Sequence, residues 1–173
     1  MKNKQPDILA IETDRLKFRQ WQESDFDEVA QYFAVDENVK FVGGRKNAEE
    51  AWRLIATYIG HYHLKGYSYP AVVEKSTGKL IGTVGLWNST PWPELELGYW
   101  LFNEMQGKGY ATEAGLAIKK YALEVLKRDS LVSYIDPKNE ASARVAKKIG
   151  ARNDGTCDLL DFGVHTVYRY HSQ

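Results

Sequence analysis

The sequence predicts one mixed α/β domain over residues 1–173, with a sheet partly antiparallel and partly parallel. Three observations carry this reading. The length suits a single core-bearing domain. An early hairpin signal joins two β-branched runs, and a later apolar strand leads through a long amphipathic helix into another strand. No internal repeat, low-complexity tract or linker interrupts the order.

Ile8 to Trp21 reads as an extended segment, because Leu16, Phe18 and Gln20 alternate with Arg15, Lys17 and Arg19. Ser24 offers an N-cap for a helix whose apolar positions are Phe26, Val29, Ala30 and Phe33. Asn47 caps a second helical run through Trp52, Ile55, Ala56, Ile59 and Tyr62. Ser76, Thr77 and Gly78 then separate strands at Val72–Glu74 and Lys79–Trp87. Glu94–Phe102 ends in a wholly apolar tetrad, as a central strand buried on both faces does.

After Gly109, the positions Ala111, Ala114, Ile118, Tyr121, Ala122 and Val125 mark a long helix, followed by a strand at Leu131–Ile135. Asn139–Ile149 is a further helix, ended by Gly150 as a left-handed cap. Leu159, Leu160, Phe162, Val164, Val167 and Tyr168 belong to a closing hairpin.

Composition excludes several classes of function. Twenty-three basic side chains balance twenty-three acidic ones, so there is no overall field to draw nucleic acid or an anionic membrane. No apolar run reaches the roughly 18 residues of a membrane helix, and Met1–Asp7 leads into no signal core. Cytoplasmic residence is therefore the expectation. Cys157, the one cysteine, rules out an internal disulfide; beside Asp158 it reads as a small packing residue rather than a nucleophile.

The chemistry concentrates in Gln106, Gly107, Lys108, Gly109, Tyr110 and Ala111, between a strand end and a helix start. Two glycines allow a tight turn with inward N–H groups, and the helix behind adds unpaired N–H groups and the positive end of its dipole. The result is an anion cradle suited to a pyrophosphate, with Lys108 as an added charge. A plain strand-to-helix turn that uses glycine for geometry is the alternative. A Walker loop fails because no GxxxxGK precedes Ser or Thr, and a dinucleotide fingerprint fails because Thr112 stands where its third glycine belongs.

At these residues the sequence resembles the GCN5-related N-acetyltransferase (GNAT) family. Gln106, Gly109 and Ala111 match its pyrophosphate loop. Gly98, Tyr99, Trp100 and Leu101 match the end of its fourth strand, and Asn139, Ser142 and Gly150 match a later block in which Ala151 replaces the usual Phe. Glu12, Thr13, Asp14, Arg15 and Leu16 look like the opening of the ribosomal-protein (RimJ/RimL-like) branch.

The resemblance implies a GNAT fold of about seven strands flanked by about four helices, with splayed central strands that hold acetyl-CoA. The activity implied is transfer of an acetyl group to a primary amine. Trp100, Leu101 and Phe102 would offer backbone to the pantetheine, and Gln106, Gly107, Lys108, Gly109, Tyr110, Ala111 and Thr112 would hold the pyrophosphate. Asn139 would bond the cofactor, and Ser142 would face the sulfur. Both residues could instead simply cap the helix.

An amine must lose its proton to attack, which at pH 7 costs about 1.4 kcal/mol for an α-amine and about 4.6 for a lysine. Glu96 is the candidate base, with Glu94 on the same side by strand period. The family's acidic tyrosine slot holds Ala146, leaving Ser142, a water or no acid for the departing thiolate. Tyr110 reads as packing.

His61 and His63, two apart on a helix, read as surface residues that cannot jointly grip a metal. His165 and His171 lack partners at ligand spacing, so no metal is expected. Phe33, Phe41, Trp52, Trp87 and Trp92 read as core, although Phe41–Gly44 falls where the resemblance implies an acceptor wall.

The acceptor stays open at this level: a protein N-terminal α-amine, favoured by the branch, or a small amine such as a polyamine, amino acid or antibiotic. A non-catalytic acyl-CoA-binding module is a third reading. A homodimer is neither required nor excluded.

Overall fold

The computed structural model describes residues 6–171; the start of the chain read above for a signal core lies largely outside them. One seven-stranded sheet runs in the order β1-β2-β3-β4-β5-β7-β6. Its strands are β1 Leu16–Arg19, β2 Ala71–Glu74, β3 Leu80–Trp87, β4 Glu96–Leu101, β5 Leu131–Ile135, β6 Ala151–Asp158 and β7 Val164–Tyr170. All neighbours are antiparallel except β4 and β5.

The helices are α1 Phe26–Phe33, α2 Asp36–Val39, α3 Ala48–Lys65, α4 Tyr110–Lys120 and α5 Glu140–Ile149. The extra helix beyond the expected four is α2, a single turn too short to show a period. Leu16 and Phe18 are buried as the alternation requires, but the segment before them is not one strand: Ile8–Ala10 forms a 3-10 turn.

Ser24 is not the cap of α1. A 3-10 turn at Glu23–Asp25 precedes that helix, and the Asp25 carboxylate accepts from Gln22 N–H while pairing with Arg19. Asn47 does cap α3, accepting from Glu50 N–H at 2.9 Å, and Glu50 returns the bond to Asn47 N–H. Trp52 on that helix is 45% exposed, held against the Phe26 ring edge rather than in the core.

His61 is buried, contrary to its reading as a surface residue, and stacks on Trp87 with ring centroids 4.0 Å apart. Burial lowers its pKa to about 4, so the ring stays neutral there. His63 is exposed as expected.

Helices α1 and α3 cover one sheet face, where Trp100 stacks on Trp21 and Tyr32 and meets the Phe33 ring edge. Helices α4 and α5 cover the other, and Gly115 lets them close up: a Cβ there would stand 2.3 Å from Ile149 Cδ1. Gly150 ends α5 in the left-handed conformation, as its position after Ile149 predicts.

The feature that positions the site is a split between β4 and β5. Their register holds only at Glu96 and Val132, with Val132 N–H donating to Leu95 O at 3.0 Å. Beyond that point the strands part. Helix α4 fills the crossover between them, as the strand, helix, strand pattern predicts.

Candidate active site

A cavity of about 460 Å³ passes through the split. Tyr99, Asn139, Ser142 and Ala146 line it on the α5 side, and Tyr58, Tyr69, Trp87 and Glu96 line it on the α3 side. The strand period explains this: Glu96, Gly98 and Trp100 face one way, and Leu97, Tyr99 and Leu101 the other.

The same parity corrects the predicted backbone edge. Phe102 N–H donates to Ile81 O at 3.1 Å and Trp100 is paired with Thr83, so these even-numbered residues address β3. Tyr99 and Leu101 address the split instead. Of the three residues expected to offer backbone to a ligand, only Leu101 faces it; the side chains of Trp100 and Phe102 are core.

Leu101 O is already engaged: Gln106 Nε2 donates to it at 3.0 Å, so the Gln106 side chain braces the loop against the strand end. Gly107 and Gly109 both hold positive φ, at 72° and 81°. Arg15 grips this loop from outside. Its guanidinium donates to Lys108 O at 3.0 Å and pairs with Glu113 at 2.6 Å, while Thr13 Oγ also donates to Glu113. With the Lys108 carbonyl held outward, the following trans peptide N–H of Gly109 points inward, toward the unpaired first-turn N–H groups of α4.

A Cβ added at Gly107 would meet nothing within 4 Å, so this side of the loop faces open space. These residues fit the pyrophosphate of acetyl-CoA. Lys108 is exposed beside the cradle, and Thr112 lies in the first turn, half-buried with Ala111 behind it. Tyr110 is buried, as a packing residue should be, under the Arg15 guanidinium, and its hydroxyl donates to Glu74.

Asn139 Oδ1 accepts from Ser142 N–H at 3.1 Å, so the capping role is realised; its amide NH₂ has no partner among the described residues. Ser142 Oγ and Tyr99 OH are 3.0 Å apart at the split. Tyr99 therefore brings a hydroxyl from β4 toward the space that Ala146 leaves on α5.

Glu96 is 9% exposed, and desolvation pushes its carboxyl up to about 7, opposed by the Trp92 indole and the Tyr134 backbone. Glu94 is a different case. Arg169 pairs with both its oxygens at 2.8 and 2.9 Å and Ser130 donates to it, so its pKa is held below the usual value. The two glutamates share a strand side in sequence, yet only Glu96 reaches the cavity.

Phe41 lines this cavity, Trp87 and Trp92 line it while packing on the core, and Phe33 is core. Phe41, Val42 and Gly43 do wall it. Sequence reasoning missed Tyr58, Tyr69, Tyr134 and Phe162, which come from α3, the loop before β2, β5 and the turn between β6 and β7. Cys157 is half-buried and burial raises its thiol pKa, consistent with packing. Among the described residues no group of three or more His, Cys, Asp or Glu could hold a metal ion, and no helix is long and apolar enough to cross a membrane.

A split parallel pair with an anion cradle at its mouth defines an acyl-CoA-using transferase, and comparison with known proteins agrees. Residues 15–152 match the model of the acetyltransferase (GNAT) domain, so the chain belongs to the GNAT family. It is an N-acetyltransferase, and the domain uses acetyl-CoA.

Among its relatives, the uncharacterized N-acetyltransferase YnaD of Bacillus subtilis (strain 168) is 30% identical over 85% of each chain. The solved acetyltransferase from Agrobacterium tumefaciens str. C58 is 32% identical, with a TM-score of 0.87 over 99% of each chain. The ribosomal-protein-S5-alanine acetyltransferase from Vibrio fischeri shares the fold, with a TM-score of 0.70 at 22% identity over 92% of this chain and 94% of that one.

Proposed function

We propose that residues 1–173 form one domain that acetylates a primary amine, with a protein N-terminal α-amine as acceptor and Glu96 as base. The observation that carries this is Glu96: a buried carboxyl with a pKa near 7, lining the same cavity as Tyr99 and Ser142. A base is most effective when its pKa lies near the working pH. An α-amine, with a pKa of about 8, is within reach of such a base, whereas a lysine amine of about 10.4 is a poorer match. The opening Glu12–Leu16, similar to the ribosomal-protein branch, supports the same acceptor; Thr13 and Arg15 within it brace the cradle.

Acetyl-CoA supplies an activated acetyl group on a thiol leaving group. The chain's residues do the rest. The 106–112 backbone and Lys108 hold the pyrophosphate, the backbone of Tyr99 and Leu101 lines the pantetheine path, and the Asn139 amide is available beside it. Glu96 accepts the ammonium proton, directly or through water, as the amine nitrogen bonds the acetyl carbon and the carbon–sulfur bond breaks. Ser142, hydrogen-bonded to Tyr99, offers a hydroxyl on the α5 side to return a proton to the departing sulfur, replenished through Tyr99 or water.

A screen for CoA thiol release against short peptides with free and blocked N-termini tests the reading. Release with free N-termini and none with blocked ones is expected. Release that depends on an internal lysine instead would replace the acceptor.

A further inference from the structure

Two aromatic walls stand on either side of Glu96. Tyr58, Tyr69 and Trp87 form one, with ring centroids 5.3 to 6.3 Å apart. Trp92, Tyr134 and Phe162 form the other, with Trp92 6.3 Å from Tyr134 and 5.8 Å from Phe162. Gly98 admits the first wall: a Cβ there would stand 2.3 Å from Tyr69 Oη.

The charge pattern is equally selective. Glu96 and Asp136 are the two carboxylates that line the cavity among the described residues. Asp136 belongs to the turn into α5, where its Oδ1 accepts from Lys138 N–H at 2.8 Å. No carboxylate belongs to either aromatic wall, and Lys46 is the cationic side chain on the lining near Phe41.

Leu160 and Phe162, both on the cavity lining, are exposed at 44% and 56%, apolar surface left in water at the site. The Tyr134 hydroxyl is buried without a hydrogen-bond partner among the described residues. An occupant that is apolar in its body and offers one acceptor atom beside its amine answers these features together.

Resting on the acetyl-transfer reading, we infer that the acceptor is a singly charged primary amine carrying a large apolar or aromatic group next to the amine. An N-terminus whose first residue is large and apolar has this chemistry, its first carbonyl supplying the acceptor atom; a free aryl-alkyl amine shares all but that atom. The ammonium meets aromatic faces before it gives its proton to Glu96, and ring faces attract cations. A polyamine seated at Glu96 and extended along either aromatic wall would lay its second charge where no carboxylate stands, which is costly.

The test uses the full chain with saturating CoA, which carries no acetyl group, and follows tryptophan fluorescence. The probes are Phe-Ala-Ala-amide, Gly-Ala-Ala-amide, 2-phenylethylamine and spermidine; the same probes are then run with acetyl-CoA for thiol release. Phe-Ala-Ala-amide or 2-phenylethylamine should bind and turn over about tenfold better than the glycyl peptide and spermidine, within the range an apolar pocket discriminates. Preference for the peptide marks a protein source, and preference for phenylethylamine a free amine.

Phe162→Ser, at an exposed position, should raise KM for the apolar acceptor about fivefold with kcat little changed; Leu160→Ser, also exposed on the lining, gives a second measure. Binding or turnover led by spermidine or the glycyl peptide overturns the inference and leaves acetyl transfer intact. The expected binding order without thiol release keeps the acceptor chemistry and overturns acetyl transfer. An absence of binding by every probe also overturns the inference.

Discussion

In the role proposed for it, Glu96 would serve chemistry at the expense of stability. Its carboxyl is raised from 4.5 to about 7 by burial, so the folded state binds more protons than the unfolded state between those values. Stability from this group is fully present below about pH 4.5 and is lost as pH rises through 7. At pH 8 the folded protein carries a desolvated carboxylate at a cost of up to about 3 kcal/mol. Glu96→Gln should therefore raise Tm at pH 8 by about 5–10 °C and change it little at pH 4. Calorimetric scans at the two pH values check this; a destabilised variant at pH 8 would mean that the carboxylate is solvated or paired. Glu94→Gln should behave in the opposite sense, losing stability above pH 4.5 as Arg169 loses its partner.

At the scale of elements, the cradle depends on a turn and on the strut beneath it. Gly109 holds φ of 81° at the N-terminus of α4, with Arg15 3.4 Å from the place of a Cβ. Gly109→Asp would strain the turn and put a like charge against the pyrophosphate. Calorimetry should show CoA affinity reduced more than tenfold, and an unchanged affinity would remove the cradle from the account. Arg15→Gln tests the strut. Its pair with Glu113 is partly exposed, so stability should change by less than about 1 kcal/mol, while KM for acetyl-CoA should rise several-fold as the Lys108 carbonyl loses its tether. The strand, turn and helix of this unit were legible because each carries a local signal: an apolar run, two glycines and a 3.6-residue period. The strut was not legible, since Arg15 and Glu113 are 98 positions apart and either alone reads as a surface charge.

Across the whole molecule, the β2–β3 and β4–β5 pairings follow from connections the sequence exposes, the split is what the GNAT resemblance implies, and the acceptor cavity is legible from neither. The hairpin at Ser76–Gly78 joins β2 to β3, and the crossover through α4 sets β5 parallel beside β4. The cavity is assembled from α3, β3, β4, β5 and the turn between β6 and β7, so Tyr58, Trp87, Tyr134 and Phe162 each read as ordinary core or surface aromatics. The same limit explains Trp100 and Phe102: an apolar run shows that a strand is central, while its hydrogen-bond parity needs the partner strand. Glu96 and Glu94 could be separated only after Arg169 was seen to claim one of them.

The account's central claim is that Glu96 acts as the base in acetyl transfer. The pH dependence of kcat/KM for the wild type and for Glu96→Gln tests it most directly. The wild type should show a limb with a midpoint near 7, separate from the limb set by the amine itself, because the free enzyme must ionise this carboxyl. Glu96→Gln should lose that limb, fall by about 10²–10⁴-fold at pH 7, and recover partly at high pH as the amine becomes neutral on its own. The same limb persisting in Glu96→Gln, or a near-native rate at pH 7, would contradict the claim.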